Sequence, residues 1–260
     1  MTGRKNKLLT KTQGLILKAN KLGDNDCLYT ILTEDMKKVT ALSKGIRSLK
    51  HKDFAALKLF CFSEFEFSSK GNLYYISNAN IKNNFYDIRL SVEKLSLASY
   101  VLEIASVMSE YTEGDTEYFR FILNTLYFIE HADENMLLSE LKKLKSLFEI
   151  RSASFAGFMP HLTSCINCGD EKNLAYFDIF EGGVRCINCG GDNLCYANEY
   201  LIKTLGYITN ADLKTVFKTP MKNEDVLDAI NDITERYISE KLEYYFKSLD
   251  YFKNIIQKTM

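Results

Sequence analysis

The stretch TQGLILKANKLGDNDCLYTILTEDMKKVTALSK, residues 12–44, decides the fold class of this 260-residue chain. It contains three short segments rich in β-branched and aromatic residues, 12–20, 27–34 and 37–44, and this composition is typical of β-strands. The first two segments are separated by the turn-forming residues Leu-Gly-Asp-Asn-Asp at 22–26. The stretch therefore predicts a meander of three strands.

Two further strands are predicted directly downstream, at 57–69 and 72–79, with a Lys-Gly-Asn turn at 70–72. The CFSEFEF stretch alternates apolar with small or acidic residues, which is the period of a half-buried strand. No helical pattern in this region is long enough for a crossover between parallel strands. Five short strands in about seventy residues predict a small closed barrel, and the OB-fold is the natural candidate.

After residue 84 the period of the apolar residues becomes helical. In residues 91–111 they recur at steps of three and four, and Ser91 is placed to cap the helix. Four more segments continue the pattern, at 116–132, 134–158, 197–209 and 223–252, with breaks at Pro160 and Pro220. The predicted class is α+β: an OB-fold domain at 1–82 and a helical domain at 83–260, with a cysteine module inserted at about 162–195.

Two copies of Cys-Ile-Asn-Cys define this module, and they contain Cys165, Cys168, Cys186 and Cys189. Paired C-x-x-C motifs at this separation indicate a zinc site, and glycine follows each pair, where it tolerates a left-handed backbone. The residues between them predict a hairpin with Gly182 and Gly183 at its tip. Together these features predict a zinc ribbon.

Four thiolates close a tetrahedral site and leave no position for water or substrate, so a structural Zn²⁺ is expected. An iron–sulfur cluster and a redox dithiol are the alternatives, and His161 or Cys195 could replace one sulfur. Cys27 and Cys61 lie in apolar runs and are expected to be buried. The chain has seven cysteines, and an odd number without a secretion signal favours reduced thiols and a cytoplasmic protein.

Charge is divided unevenly along the chain, although the net charge is only −1. Residues 1–58 contain 13 lysines and arginines against 5 aspartates and glutamates, whereas residues 59–260 contain 20 against 29. This asymmetry favours a first part that binds a polyanion, the alternative being a basic surface without a partner. The apolar runs are shorter than the ~18 residues that a membrane span requires, so no membrane contact is expected.

Catalytic motifs are missing from the sequence. It contains no phosphate-binding G-x-x-x-x-G-K-[ST] loop, no G-x-S-x-G and no H-E-x-x-H. Asp24 and Asp26 could bind the metal of a nuclease, but a polar turn is the simpler interpretation. The sequence therefore favours a binding protein over an enzyme.

The basic segment offers both parts of a nucleic-acid surface: cations for phosphates and aromatic rings for bases. The predicted DNA contacts are Lys18, Lys37, Lys38, Lys44, Arg47, Lys50 and Lys52. The candidate stacking residues are Tyr29, Phe54, Phe60, Phe65, Tyr74 and Tyr75, several of which must instead fill the barrel.

The N-terminal region resembles the bacterial DNA repair protein RecO family. The resemblance lies in Leu15–Lys18, Gly23–Asp26, Ile31–Glu34, Lys44–Arg47 and Leu57–Phe60, and in the order of barrel, helices and inserted four-cysteine module. This chain departs from the family where Asp35 and Met36 stand in place of a glycine, and where Ser48 stands in place of a second arginine.

The resemblance implies a recombination mediator that changes no covalent bond. Such a protein binds single- and double-stranded DNA and anneals strands coated by single-strand DNA-binding protein, whose C-terminal tail docks on the helical domain. With RecR it helps to load RecA, in the cytoplasm and in association with the nucleoid. A zinc-ribbon factor for RNA or transcription is the alternative function.

Overall fold

The computed structural model describes residues 7–46, 53–70, 73–213, 215–221 and 223–259. The chain divides into two compact units. The first contains Met1–Arg89 and Ala105–Arg120, and the second contains Leu90–Ile104 and Phe121–Met260. The predicted boundary at 82 and 83 stays a prediction. Within the described residues, no helix combines the length and the apolar character needed to cross a membrane.

Five strands form a closed barrel in the first unit, in the order β1-β2-β3-β5-β4. Neighbouring strands are antiparallel, except for the parallel pair of β3 and β5. This architecture confirms the predicted OB-like barrel. The strands are β1 (Lys7–Leu22), β2 (Asp26–Thr33), β3 (Lys38–Ser43), β4 (Phe62–Lys70) and β5 (Leu73–Asn83).

Strand β1 closes the barrel because it pairs with β2, the next strand in the order, and also with β4, the last strand in the order. Gly14 stands where the two ladders meet, opposite Thr33 of β2 and opposite Ser63 of β4. A Cβ atom at Gly14 would lie 2.7 Å from Cγ2 of Ile31 and 2.9 Å from the carbonyl oxygen of Leu32. Glycine at this position therefore permits the close approach of the strands.

The barrel core is built from the inward residues of the alternating strands, among them the fully buried Ile16, Ile31 and Phe65. Cys27 and Cys61 belong to the same cluster, so their predicted burial is confirmed. Alternation places every second side chain of a strand inside the barrel, which explains how so short a segment forms a core.

The predicted start of the fourth strand at residue 57 is wrong, because β4 begins at Phe62. The preceding residues form a buried turn in which Phe60 has a left-handed φ of +67° and Cys61 N–H donates to the carbonyl of Lys58. Leu57 joins the barrel core. An apolar run that enters a core from a turn has the same composition as a strand, so sequence periodicity does not separate the two.

The second unit is helical, apart from the cysteine module. The helices of the chain are α1 (Val92–Met108), α2 (Thr116–Glu130), α3 (Leu137–Phe155), α4 (Glu199–Asn210), α5 (Glu224–Lys241) and α6 (Lys247–Thr259). The end of α1, from Ala105, and the start of α2, up to Arg120, belong to the first unit. Ser91 Oγ accepts from Lys94 N–H at 3.2 Å, as predicted for a cap. The single helix predicted over 223–252 is wrong: the chain ends α5 at Lys241 and passes through Glu243 at φ +48° before α6.

A buried polar network lies among α1, α3 and α5. Glu149 is fully buried and accepts from Tyr100 Oη at 2.8 Å and from Thr234 Oγ1 at 2.7 Å. Lys145, also buried, lies 3.0 Å from Glu149 and 3.1 Å from Glu235. Burial raises the pKa of Glu149, an effect that the Lys145 ammonium opposes. The charged groups of this network are thus paired, as burial requires.

The cysteine module lies between α3 and α4 in the chain. It contains β6 (Leu174–Asp178), β7 (Gly183–Cys186) and β8 (Cys195–Tyr196), which form a sheet in the order β7-β6-β8. The predicted hairpin is confirmed, with Asp178 paired to Gly183 and Gly182 in the turn. The third strand, β8, was not predicted, because two residues carry no periodic signal.

Candidate metal centre and nucleic-acid surface

The two Cys-Ile-Asn-Cys motifs converge on one point. The Sγ atoms of Cys165, Cys168, Cys186 and Cys189 all lie within 4.8 Å of one another, and those of Cys168 and Cys186 are 3.7 Å apart. A tetrahedral zinc ion with Zn–S bonds of 2.3 Å separates its sulfurs by about 3.8 Å. The donor set and its spacing therefore fit a metal ion such as Zn²⁺.

Backbone hydrogen bonds shape the first knuckle. Gly169 N–H donates to the carbonyl of Cys165 at 2.8 Å, and Cys165 N–H donates to that of Asp170 at 2.8 Å. Gly169 has a φ of +78°, as predicted. The same prediction for Gly190 is wrong, since its φ is −61°. Glycine is needed there for space: a Cβ would lie 2.7 Å from the ring of Tyr176.

The surroundings of the thiols shift the pKa values of Cys165 and Cys168 in opposite directions. Burial acts to raise the pKa of Cys165, but backbone hydrogen bonds from Cys186, Cys168 and Asn167 lower it to about 6. For Cys168 a backbone hydrogen bond from Asp170 acts to lower the pKa, yet contacts with the other three thiols raise it to about 12. A metal ion bound among the four sulfurs would favour their thiolate forms, because it would offset the repulsion between them.

The other candidate ligands lie outside this cluster. Cys195 is buried, and its Sγ accepts from Arg236 Nη1 at 3.1 Å. His161 Nε2 lies 2.8 Å from Ser164 Oγ. Asp26 Oδ1 accepts from Gly45 N–H at 2.9 Å, so this carboxylate orders a turn. Among the described residues, the four cysteines are the one group of three or more potential ligands close enough to share an ion.

A lysine and a tyrosine meet where β3 runs beside β5. Ala41 and Leu42 of β3 pair with Tyr74 and Tyr75 of β5. Lys44 is exposed just beyond β3, and its Nζ lies 5.5 Å from the centroid of the Tyr75 ring. Tyr74 is 44% exposed. The seam between β3 and β5 therefore presents Lys44 over the ring of Tyr75, and the neighbouring residue of β5, Tyr74, is close to half exposed.

Each residue of the Lys44-Gly45-Ile46 turn has its own structural role. Gly45 has a φ of +64°, a conformation that glycine adopts without steric cost. Ile46 is almost fully buried in the barrel core. The turn thus anchors itself through Ile46 and leaves Lys44 facing solvent.

The predicted contacts Lys37 and Lys38 are engaged in ion pairs. Lys37 Nζ lies 3.0 Å from Asp35 and 3.6 Å from Glu113, and Lys38 Nζ lies 3.3 Å from Glu110. A hydrogen bond to Asp35 and its charge raise the pKa of Lys37. Glu110 and Glu113 follow α1 in sequence, so the local pattern around residue 37 does not predict these ion pairs.

The remaining predicted contacts divide into two groups. Lys18 is exposed on β1, opposite Thr30 of β2. Arg47, Lys50 and Lys52 lie outside the described residues.

The candidate stacking residues also separate by exposure. Tyr29, Phe60 and Phe65 are buried in the first unit. Phe54 and Tyr74 are close to half exposed. Of the six predicted aromatics, these two and Tyr75 remain available to a ligand at the surface.

Comparisons with known proteins cover nearly the whole chain. A family model described as "Recombination protein O N terminal" matches residues 7–85, and one described as "Recombination protein O C terminal" matches residues 89–250. A DNA repair protein RecO from Acetivibrio thermocellus is 29% identical over 248 residues, which cover 94% of this chain and 96% of the relative. One from Alkaliphilus metalliredigens is 29% identical over 252 residues, covering 95% and 100%.

Proposed function

This chain belongs to the recombination protein O family of DNA repair proteins, and we propose from that membership that it is a recombination mediator. In this proposal it binds single- and double-stranded DNA and anneals complementary strands coated by single-strand DNA-binding protein. It docks the C-terminal tail of that protein and, together with RecR, helps to load RecA. It acts in the cytoplasm, in association with the nucleoid.

The observation that carries the proposal is the seam of the closed barrel, where Lys44 lies over Tyr75 and Tyr74 is exposed. OB barrels bind oligonucleotides through strands 2 and 3 and the adjoining loops. A base stacked on an aromatic side chain contributes roughly 1–3 kcal/mol, whatever its identity. A surface of this kind suits a protein that must hold strands of any sequence.

The phosphate contacts in this proposal centre on Lys44 and Lys18. Arg47, Lys50 and Lys52 are included from the sequence alone. Lys37 and Lys38 must first exchange their carboxylate partners for a phosphate, so we expect smaller contributions from them. Each lysine that contacts a phosphate adds to the salt dependence of binding.

We further propose that the four clustered cysteines bind a structural Zn²⁺. When bound, the ion supplies folding energy to the module through four thiolate bonds. The cysteines contribute no catalytic step, because a site closed by four sulfurs has no position for a substrate. We propose that the protein is not an enzyme: annealing requires neutralisation of two polyanions and no covalent change.

The alternative, a zinc-ribbon factor that reads RNA or acts in transcription, has less support. Its binding surface would be the ribbon, yet Arg185 is paired with Asp178 at 2.6 Å. Asp170, Glu171 and Glu181 add further negative charge to the same module. A surface of this charge repels a nucleic-acid backbone.

Strand annealing tests the proposal directly. Complementary oligonucleotides, bare or coated by the cognate single-strand DNA-binding protein, are mixed with the full chain and followed by fluorescence. We expect faster annealing on coated strands, suppression by salt, and a reduced rate for Lys44→Glu. DNA binding without any acceleration of annealing would overturn the mediator function.

A further inference from the structure

An acidic loop contacts the β2–β3 turn, residues 34–37, within the first unit. The loop, residues 109–115, connects α1 to α2 and contains three acidic residues and no basic one. Its backbone is joined to the turn, because Gly114 N–H donates to the carbonyl of Asp35 at 2.7 Å. Thr112 in the middle of the loop is buried. The loop therefore has a fixed position beside the turn.

Two carboxylates of this loop face the two lysines at the end of the turn. Lys38 Nζ lies 3.3 Å from Glu110 Oε1, and Lys37 Nζ lies 3.6 Å from Glu113 Oε1. The third carboxylate, that of Asp115, has a different role, because its Oδ1 accepts backbone N–H groups in the first turn of α2. Glu110 and Glu113, here called the acidic pair, are thus the carboxylates that neutralise the lysines.

The acidic pair contributes little to the stability of the loop. The side chains of Glu110 and Glu113 are 73% and 69% exposed. Exposed ion pairs are weak, because water solvates both charges. Backbone hydrogen bonds and the burial of Thr112 already hold the loop in place. The main effect of the acidic pair is therefore on the charge of the surface around the turn.

The two ends of β3 consequently differ in charge. Lys38 begins the strand and Lys44 follows its last residue, so the two lysines are about 20 Å apart along the chain direction. Residues 34–38 contain two acidic and two basic residues, to which the acidic pair adds two carboxylates. Residues 44–58 contain five basic residues and one acidic residue, the buried Asp53. The charge at the Lys44 end attracts a polyanion, whereas that at the Lys38 end does not.

We propose that the acidic pair excludes the DNA backbone from the β2–β3 turn and confines it to the Lys44 end of β3. The inference rests on the proposed binding of DNA by the barrel, and it assigns a role to two residues outside the barrel strands. A phosphate at Lys38 displaces the Glu110 carboxylate, which stays attached to the loop and repels the phosphate from close range. Glu110 and Glu113 thus determine which lysines of the barrel contact DNA.

Neutralisation of Glu110 in the full chain tests this role. Binding of a fluorescent thymidine oligonucleotide is followed by anisotropy over a range of salt concentrations. In Glu110→Gln, Lys38 is available to one more phosphate, so we expect a salt slope steeper by about 0.7 and an affinity about fivefold higher at 0.1 M salt. The same substitution in a Lys38→Gln background should bring no gain. Lys38→Gln alone should bind as the wild type does.

Two further variants serve as matched controls. Glu113→Gln should have a smaller effect than Glu110→Gln, because Lys37 Nζ also lies 3.0 Å from Asp35. Glu117→Gln makes the same change in net charge at an exposed position of α2, so it should leave the affinity and the salt slope unchanged. Thermal melting confirms that the variants fold, as the exposure of the substituted side chains predicts.

The possible outcomes are distinct. A gain in Glu110→Gln that disappears in the Lys38→Gln background would support the role of the acidic pair. Equal gains in Glu110→Gln and Glu117→Gln would show a general effect of net charge and overturn it. Unchanged binding by Glu110→Gln, while Lys44→Gln weakens binding, would overturn the inference and leave the proposed function standing. A wild-type chain that binds no DNA would overturn both.

Discussion

Met36 occupies a backbone conformation that usually requires glycine. Its φ is +59°, and it stands where the resemblance to the family led us to expect a glycine. The turn is held by Met36 N–H, which donates to the carbonyl of Thr33 at 2.9 Å, and by Lys37 N–H, which donates to Thr33 Oγ1 at 3.1 Å. The side chain of Met36 is fully buried. Burial worth about 1.5–3 kcal/mol thus offsets a backbone strain of about 1–3 kcal/mol.

At position 36 the glycine variant should therefore be more stable than the alanine variant, which is the reverse of the usual order. Met36→Ala loses the buried side chain and keeps the strain, so we expect a loss of about 2–3 kcal/mol in the free energy of unfolding. Met36→Gly should be about 1 kcal/mol more stable than Met36→Ala, because glycine accepts a positive φ. Chemical denaturation measures both values.

Leu147, fully buried inside α3, is the control for this comparison. At that helical position glycine should be less stable than alanine by about 1 kcal/mol. If Met36→Gly proves less stable than Met36→Ala by a similar amount, the backbone of Met36 is not strained as described.

At the scale of elements, α3 and α5 are joined by the network of Lys145, Glu149 and Glu235. Lys145→Met leaves the buried Glu149 without its cation, so we expect a loss of about 3–5 kcal/mol at neutral pH. The double variant Lys145→Met/Glu149→Gln should recover part of this loss, because neither charge is then buried. Denaturation curves of the two variants provide the measurement.

The pH dependence of the Lys145→Met variant gives a second check with a definite sign. Burial raises the pKa of Glu149 above its ordinary 4.5, and removal of Lys145 raises it further. A raised carboxyl pKa means that the folded state binds a proton more tightly, so the protein gains stability as pH falls. The deficit of the variant should shrink from pH 7 towards pH 5. A deficit that stays constant over this range would contradict the assignment.

The cysteine module makes a separate prediction about metal. Cys165→Ser should lose bound zinc and lower the melting temperature by about 5–10 °C, since each kcal/mol corresponds to about 2–4 °C for a domain of this size. Cys195→Ser should keep its zinc, because that sulfur lies outside the cluster. The zinc content and the melting temperature of both variants provide the measurement. Equal zinc loss in both variants would show that the ligand set is wrong.

At the scale of the whole molecule, patterns within short stretches of sequence predicted the first strands and the cysteine cluster. Contacts between residues far apart in sequence determined which side chains are paired. Alternation in 12–44 predicted the first strands, and the spacing of four cysteines predicted their convergence, because both signals are local in sequence. The pairing of Lys38 with Glu110 joins residues 72 positions apart, so no local pattern reveals it. The buried turn before Phe62 was missed for a related reason: its apolar residues fill a core closed by the strands around it.

We propose that the barrel seam around Lys44 binds the DNA backbone. The most direct test of this proposal is the salt dependence of single-strand binding by the wild type, Lys44→Gln and Lys37→Gln, measured by fluorescence anisotropy. We predict that Lys44→Gln weakens binding and reduces the salt slope by about 0.7, the value for one phosphate contact. Lys37→Gln should change the slope less, because Asp35 and Glu113 already neutralise that lysine. An unchanged affinity and slope for Lys44→Gln would contradict the claim.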